Sequence, residues 1–485
     1  LRRAQKAAHT PLWRSTDFLI KRGKSSMPFK PLAKKTLSLC FAGVIAATSI
    51  VSSANAQRGG IPLVRDSEIE ALMRDYSAEI FKAAGFQTGF VNIHLVNSKD
   101  FNAFVADGRR MFMNLGTLQQ AETPNEVIGV IAHEAGHIQG GHLARIRQAA
   151  AGARAIGIFS QLLAGAAVVA GAASGSGAAV QGGFGALQGG QSLAQRTILA
   201  HQRTEEAAAD RAALILLEKT GQSAQGIIST FERLQRQIPL SGRFVDPYLL
   251  SHPLPRERVR AVREKAQQSP YFNRKDPPDL VKRHRLMQAK IAAFTEHPTT
   301  VGRRYPKKDK SLEADYARAI VGYRHGNVKR AQRAIDKLIE RSPRYPYFWE
   351  LKGQAYLESA QPARAIAPLR KAISLAPRAP LMKAMLGHAL VATEDPKHTQ
   401  EAIKVLREAV ALDQSIGNAH RQLAIAYARE GRIGDAELAT ANGLFFFGDI
   451  KGAKTYAARA KKRLPTGSRG WLQADDIIAY RRPKL

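Results

Sequence analysis

At 485 residues the chain is too long for one ordinary domain and implies two or three, and its 45% hydrophobic and 23% charged residues supply real cores and exclude a disordered chain. The formal charge is +33; residues 1–56 hold ten bases and one acid, and the remaining 63 bases and 39 acids leave +24 spread along the rest. No basic block is interleaved with aromatic residues, which argues against a nucleic-acid partner and for contact with an anionic membrane surface.

The chain begins with leader-like features. Met27 is followed by Lys30, Lys34 and Lys35, then by an apolar stretch from Leu37 to about Ile50, and then by Ala54-Asn55-Ala56. A basic region, a short apolar region and a small-x-small ending form a secretory signal peptide, so cleavage is expected before Gln57. Residues 1–26 fit no part of that pattern and read as an upstream extension, with Met27 the expected start. The single cysteine, Cys40, is preceded by Leu39 rather than a small residue, so lipid attachment is not expected. Cleavage leaves no cysteine and therefore no disulfide.

Apolar residues at Ile69, Leu72, Met73, Tyr76, Ile80 and Phe81 recur with a helical period and predict an amphipathic helix from Asp66 to about Ala84. Val91 to Val96 alternates and predicts a strand. Asn102–Val105 and Arg110–Asn114 read as two short strands around the turn Ala106-Asp107-Gly108. A second helix is expected from Glu122 to about Ala149. Thr123 caps it, Pro124 takes its first position, and Glu126 follows three residues after Thr123.

That helix carries His133-Glu134-Ala135-Gly136-His137. Residues four apart share a helix face, so His133 and His137 can aim two imidazoles at one ion, and neutral imidazoles suit Zn²⁺. Glu134, beside the ion without ligating it, is placed to take a proton from the attacking water and pass it to the leaving amine. One zinc per chain is expected, with a third protein ligand and an open position. Two residues are candidates for that ligand. His142 lies near, but the H-E-x-x-H-x-x-G-x-x-H pattern puts its third histidine at 143, which is Leu143. Glu206 is favoured. It lies on an acidic-start helix from Thr204 to Leu214 and shares a face with Asp210, which can accept a hydrogen bond from a ligand histidine. The bland alternative is a solvated acidic face, with Glu205 its exposed member.

Asn102-Ala103-Phe104, the H-E-x-x-H run with His142, and Glu206-Ala207-Ala208-Ala209-Asp210 together resemble the HtpX-like and Oma-type zinc metallopeptidases. The resemblance covers about residues 60–465. It implies an α+β zincin-type domain, mostly helical with a small sheet, in which His133, His137 and Glu206 ligate zinc, Glu134 is the catalytic base and Asp210 supports a ligand. Ser251-His252-Pro253-Leu254-Pro255-Arg256-Glu257-Arg258 and the repeat tail narrow it to bacterial members, and imply periplasmic quality control of outer-membrane proteins. Misfolded or unassembled proteins are then the expected substrates, and the outer-membrane assembly machinery the expected partner.

His252 sits in a Pro-rich loop before a helix from Arg256 to Ala266. It is either a helix-entry packing residue or reaches the active site, as a transition-state donor or a reversible fourth ligand. Between the two zinc helices, residues from about 149 to 190 are Gly-rich and almost uncharged, and read as a lid or membrane-surface element. The apolar run is broken by glycine and is short for a membrane span.

The tail follows the 34-residue tetratricopeptide pattern. Trp349, Gly353, Tyr356, Ala365, Leu369, Ala372 and Pro377 fall in register. So do Ala319, Ala331, Ile335 and Pro343 one repeat earlier. After a three-residue insertion near Pro396 come Ala402, Leu406 and Ala409, then Leu423, Tyr427 and Ala436, and a partial fifth unit with Ala453, Ala460 and Pro465. An all-α solenoid is expected, with a concave surface for clients or a protein partner. The expected division is 1–56 leader, 57–267 metallopeptidase domain, 268–312 connector, 313–465 repeats and 466–485 C-terminal helix or tail. Two functions compete: a zinc endopeptidase with a docking tail, and a chaperone-like adapter with a latched protease domain. Glu134 favours the first, since an adapter has no use for a general base. Residues 105–114 are expected to offer a sheet edge that pairs with an extended substrate.

Overall fold

The computed structural model describes residues 61–106, 108–152, 154, 161, 199–237 and 247–481. The leader, Asp107 and nearly all of the Gly-rich segment lie outside them.

The N-terminal unit is helical around one small sheet. β1 (Leu63–Val64), β2 (Asn92–Val96), β3 (Ala103–Val105) and β4 (Arg110–Asn114) lie in the order β1-β2-β4-β3. β2 and β4 run parallel, and the outer pairs are antiparallel. β4 is therefore internal, with Met111 and Met113 fully buried. The edge expected over 105–114 belongs instead to β3. Met111, Phe112 and Met113 are all buried, as in a strand covered on both faces.

α1 (Ser67–Ala83) starts where Asp66 accepts hydrogen bonds from the Glu68 and Ile69 amides, and it buries the predicted apolar face. α2 (Leu115–Gln120) follows β4 directly. α3 (Pro124–Gln139) is capped by Thr123 and is buried from Pro124 to Gly136. It does not run on to Ala149 as the sequence suggested. Gly140 ends it, and Gly141 adopts φ +64°, a left-handed position that glycine takes without steric cost. α4 (residues 142–152) follows. α5 (residues 199–219), α6 (Gln225–Arg236), α7 (Pro247–Ser251) and α8 (Arg256–Ala266) complete the unit.

Residues 268–312 hold two further helices, α9 (Pro278–Thr295) and α10 (Pro298–Arg304). α9 serves two cores at once. Met287 and Ile291 belong to the N-terminal core, while Leu286, Ala289, Ala293 and Phe294 pack in the first repeat. No described helix is long and apolar enough to cross a membrane.

Five helix pairs follow: α11 (Leu312–His325) with α12 (Val328–Arg341), α13 (Pro346–Glu358) with α14 (Pro362–Leu375), α15 (Pro380–Ala392) with α16 (Thr399–Leu412), α17 (Gly417–Arg429) with α18 (Ile433–Phe446), and α19 (Ile450–Arg463) with α20 (Arg469–Ala479). The repeat spacing has a steric cause. A Cβ on Gly353 would run into Leu369, and one on Gly387 into Leu406, so in these two units the first helix needs glycine where the second inserts leucine. The insertion near Pro396 forms a 3₁₀ turn, Pro396–His398, capped by Asp395. The fold is thus the expected α+β unit followed by an all-α solenoid.

The solenoid is fastened to the start of α1. Tyr316 and Tyr345 donate to the Glu68 carboxylate, and Ser67 donates to Glu350. Lys290 on α9 lies 2.7 Å from Asp66 and 3.3 Å from Glu68, and Arg65 bridges to Asp413 on the repeats.

Candidate active site

α3 and α5 cross at small residues, which brings their polar positions together. A Cβ on Gly136 would stand 2.8 Å from the Ala209 carbonyl, so the helices meet this closely only because position 136 has no side chain. Across that contact the Nε2 atoms of His133 and His137 are 3.1 Å apart. Each lies 3.3 Å from a Glu206 carboxylate oxygen. A tetrahedral zinc with ligands at about 2.0–2.1 Å has ligand–ligand edges of about 3.3 Å, so each imidazole nitrogen stands at such a spacing from the other and from one oxygen of the Glu206 carboxylate. His252 completes a group of four whose candidate ligand atoms lie within 4.8 Å of one another. His142, the other candidate for third ligand, is not in that group.

Each histidine has a polar neighbour at its outer nitrogen. Nδ1 of His133 lies 3.0 Å from Asp210, and Asp210 receives both Nε and Nη2 of Arg258. Arg258 also lies 2.9 Å from Glu206 and donates to the Pro253 carbonyl, which fixes the loop that carries His252. Nδ1 of His137 lies 2.8 Å from Nδ1 of His142. His252 stacks on Tyr248, with Nδ1 3.0 Å from Glu206 and Nε2 3.5 Å from Glu134. The Glu134 Oε1 and His252 Nε2 atoms are buried without a hydrogen-bond partner, facing a centre where a cation and water would satisfy them.

Burial lowers the pKa of His137 to about 3, so it stays neutral and offers a lone pair. At His133 burial is outweighed by the Asp210 and Glu206 carboxylates, which raise its pKa to about 9. Burial also opposes charge on Glu206, but His252, His133 and His137 hold its carboxyl far below the usual range. Glu134 is pushed up, mainly by burial, as suits a group that must take up a proton. One carboxylate kept ionised, that of Glu206, beside the His133 and His137 imidazoles forms a donor set suited to a divalent cation.

Sequence reasoning missed three participants. Arg258 joins Asp210 and Glu206 from 48 and 52 residues away, a link that no local spacing signals. Glu205, expected on an exposed face, is buried and takes two hydrogen bonds from Arg145.

Residues 64–266 match Peptidase family M48, and residues 316–380 match the tetratricopeptide repeat. The chain is 25% identical over 421 residues to the beta-barrel assembly-enhancing protease of Yersinia pestis, covering 85% of this chain and 83% of that protein. It is 22% identical over 417 residues to the protein of that name from Escherichia coli (strain K12), covering 85% and 82%. It is 32% identical over 178 residues to metalloprotease LoiP of the same strain, covering 36% of this chain and 62% of that one.

Proposed function

We propose that this chain, whose residues 64–266 match Peptidase family M48 and whose tail matches the tetratricopeptide repeat, is a periplasmic zinc endopeptidase acting on misfolded or unassembled outer-membrane proteins. The observation that carries the reading is the convergence of His133, His137 and Glu206 with Glu134 alongside. In this reading His133, His137 and Glu206 hold one zinc ion. The ion supplies a Lewis acid for the scissile carbonyl and lowers the pKa of a water. Glu134 takes the proton from the attacking water and returns it to the leaving amine. Asp210, itself held by Arg258, keeps His133 in the tautomer that presents Nε2. His252 stands on the fourth side, as a donor to the transition state or as a reversible ligand that excludes water.

The substrate class follows from the sheet and the tail. β3 is the edge strand beside α3, and an edge pairs with extended backbone at little sequence demand, which selects unfolded chains. The concave face of the repeats suits a client or a protein of the outer-membrane assembly machinery, and the names of the relatives support that choice. The periplasm is the compartment to which the leader's pattern points.

The test is degradation of an unfolded model protein by the zinc-loaded full chain, beside Glu134→Gln. The wild type is expected to cut and the variant to lose at least about a hundredfold in rate, the range for removing a general base. Equal cutting by both would end the assignment of Glu134. Cutting by neither, with zinc bound, favours the adapter reading, in which His252 seals the centre and the repeats act alone.

A further inference from the structure

His142 lies outside the ligand group, yet it is buried and makes two polar contacts, each with one possible direction. His137 presents Nε2 to the centre, so as a neutral ligand it carries its proton on Nδ1. That proton points at Nδ1 of His142, 2.8 Å away, which must accept it. His142 then carries its own proton on Nε2, which lies 2.9 Å from Glu205. Glu205 accepts in turn from Nε and Nη2 of Arg145. A run of close polar contacts thus joins the ligand to the guanidinium.

The backbone is shaped to allow this contact. Gly141 at φ +64° forms the turn between α3 and α4. The His142 ring then occupies the space a Cβ on Gly140 would take.

We propose that His142 is the positioning residue for ligand His137, fixing its tautomer and ring angle through Glu205 and Arg145. This arm is the counterpart of Asp210 and Arg258 behind His133. The two arms differ in one respect: His133 meets a carboxylate directly, whereas His137 meets one through a neutral imidazole. Arg145 lies on α4 and Glu205 on α5, so the arm also ties those helices together beside the ligand. The proposal rests on the zinc-site reading above.

Two amide substitutions separate the two contacts. In His142→Asn, Oδ1 falls near the place of Nδ1 and can still accept from His137. In His142→Gln, the amide reaches the place of Nε2, can still donate to Glu205, and offers His137 nothing. Zinc affinity is measured on the full chain by competition with a chromophoric chelator, and ligand geometry by the visible absorption of the cobalt-loaded protein. His142→Gln is expected to weaken zinc by about ten- to a hundredfold, the usual cost of losing such a partner, and to shift the cobalt band. His142→Asn should stay within about threefold of wild type. Gly140→Ala, with His142 present but displaced, should behave like His142→Gln. Equal affinity in wild type, Asn and Gln overturns the proposal, and so does an equal loss in Asn and Gln, which marks a packing role. His133→Ala separates the levels. If it weakens zinc while Asn and Gln do not differ, only the role of His142 falls; if it leaves zinc unaffected, the site reading falls and the proposal with it.

Discussion

Asp210 shows how much one buried side chain can decide. Burial opposes its charge, yet Arg258 and His133 together hold its carboxyl below the usual range, so it stays an anion against the ligand. Asp210→Asn keeps the shape and removes the charge, leaving Arg258 without its partner. Zinc affinity is expected to fall by about ten- to a hundredfold, read by chelator competition. His252→Ala tests the neighbouring loop, and peptidase rate is the measurement. A rise identifies a ligand that shuts the site, a fall identifies a donor, and no change rules out both roles. At this scale the spacing of the sequence went far. His133 with His137, and Glu206 with Asp210, sit four apart, and the helical period alone puts each pair on one face. Arg258, Glu205 and Arg145 were hidden for the opposite reason, because their contacts cross between helices. Adjacent helix positions point about 100° apart, so Glu206 can face α3 while Glu205 faces α4, and a sequence cannot tell which of two acids is solvated.

At the scale of helices, Gly136 sets the distance between α3 and α5. Its absent Cβ lets the Ala209 carbonyl approach, and Glu206 and Asp210 lie on either side of that point. Gly136→Ala improves helix propensity by roughly 1 kcal/mol but forces the helices apart, and overpacking of this kind costs about 1–3 kcal/mol. The expected result is lower thermal stability together with weaker zinc binding, checked by unfolding the variant with and without zinc. A variant that gains stability and keeps its affinity would contradict the close crossing. A glycine in mid-helix is a sequence signal of close approach, but only the structure names its neighbour. The end of α3 was misread for a related reason. Gly140-Gly141 can be tolerated within a helix, and nothing local says that Gly141 takes a left-handed turn. The position of β4 was misread because strand order is not written in strand sequence; the apolar run Met111-Phe112-Met113 signals only a strand covered on both faces.

At the scale of the whole molecule, the solenoid could be read repeat by repeat, because interlocking helices impose a strict period. Its attachment to the N-terminal unit could not. Lys290 falls in the expected connector, and Asp66 and Glu68 read as an ordinary helix start. Folding gathers them around a buried ammonium, with Glu350 of α13 as a further carboxylate 3.9 Å away. One cation does not balance three acids. Burial chiefly, opposed by Lys290 and reinforced by Asp66, pushes Glu350 up to about 7. A carboxyl raised in the folded state from its usual 4.5 contributes stability that is fully present below 4.5 and is lost as pH rises through about 7. Attachment of the repeats to the N-terminal unit should therefore weaken across that window. Glu350→Gln holds a neutral amide in the same place at every pH. Thermal midpoints of the zinc-saturated full chain, measured from pH 5 to 8 for both proteins, should converge at the acid end and separate above it, with the variant the more stable near pH 8. The difference between the curves reads Glu350 together with its influence on Lys290, Asp66 and Glu68, the groups clustered with it. Parallel curves would mean that Glu350 keeps an ordinary pKa and that the attachment does not sense pH through it.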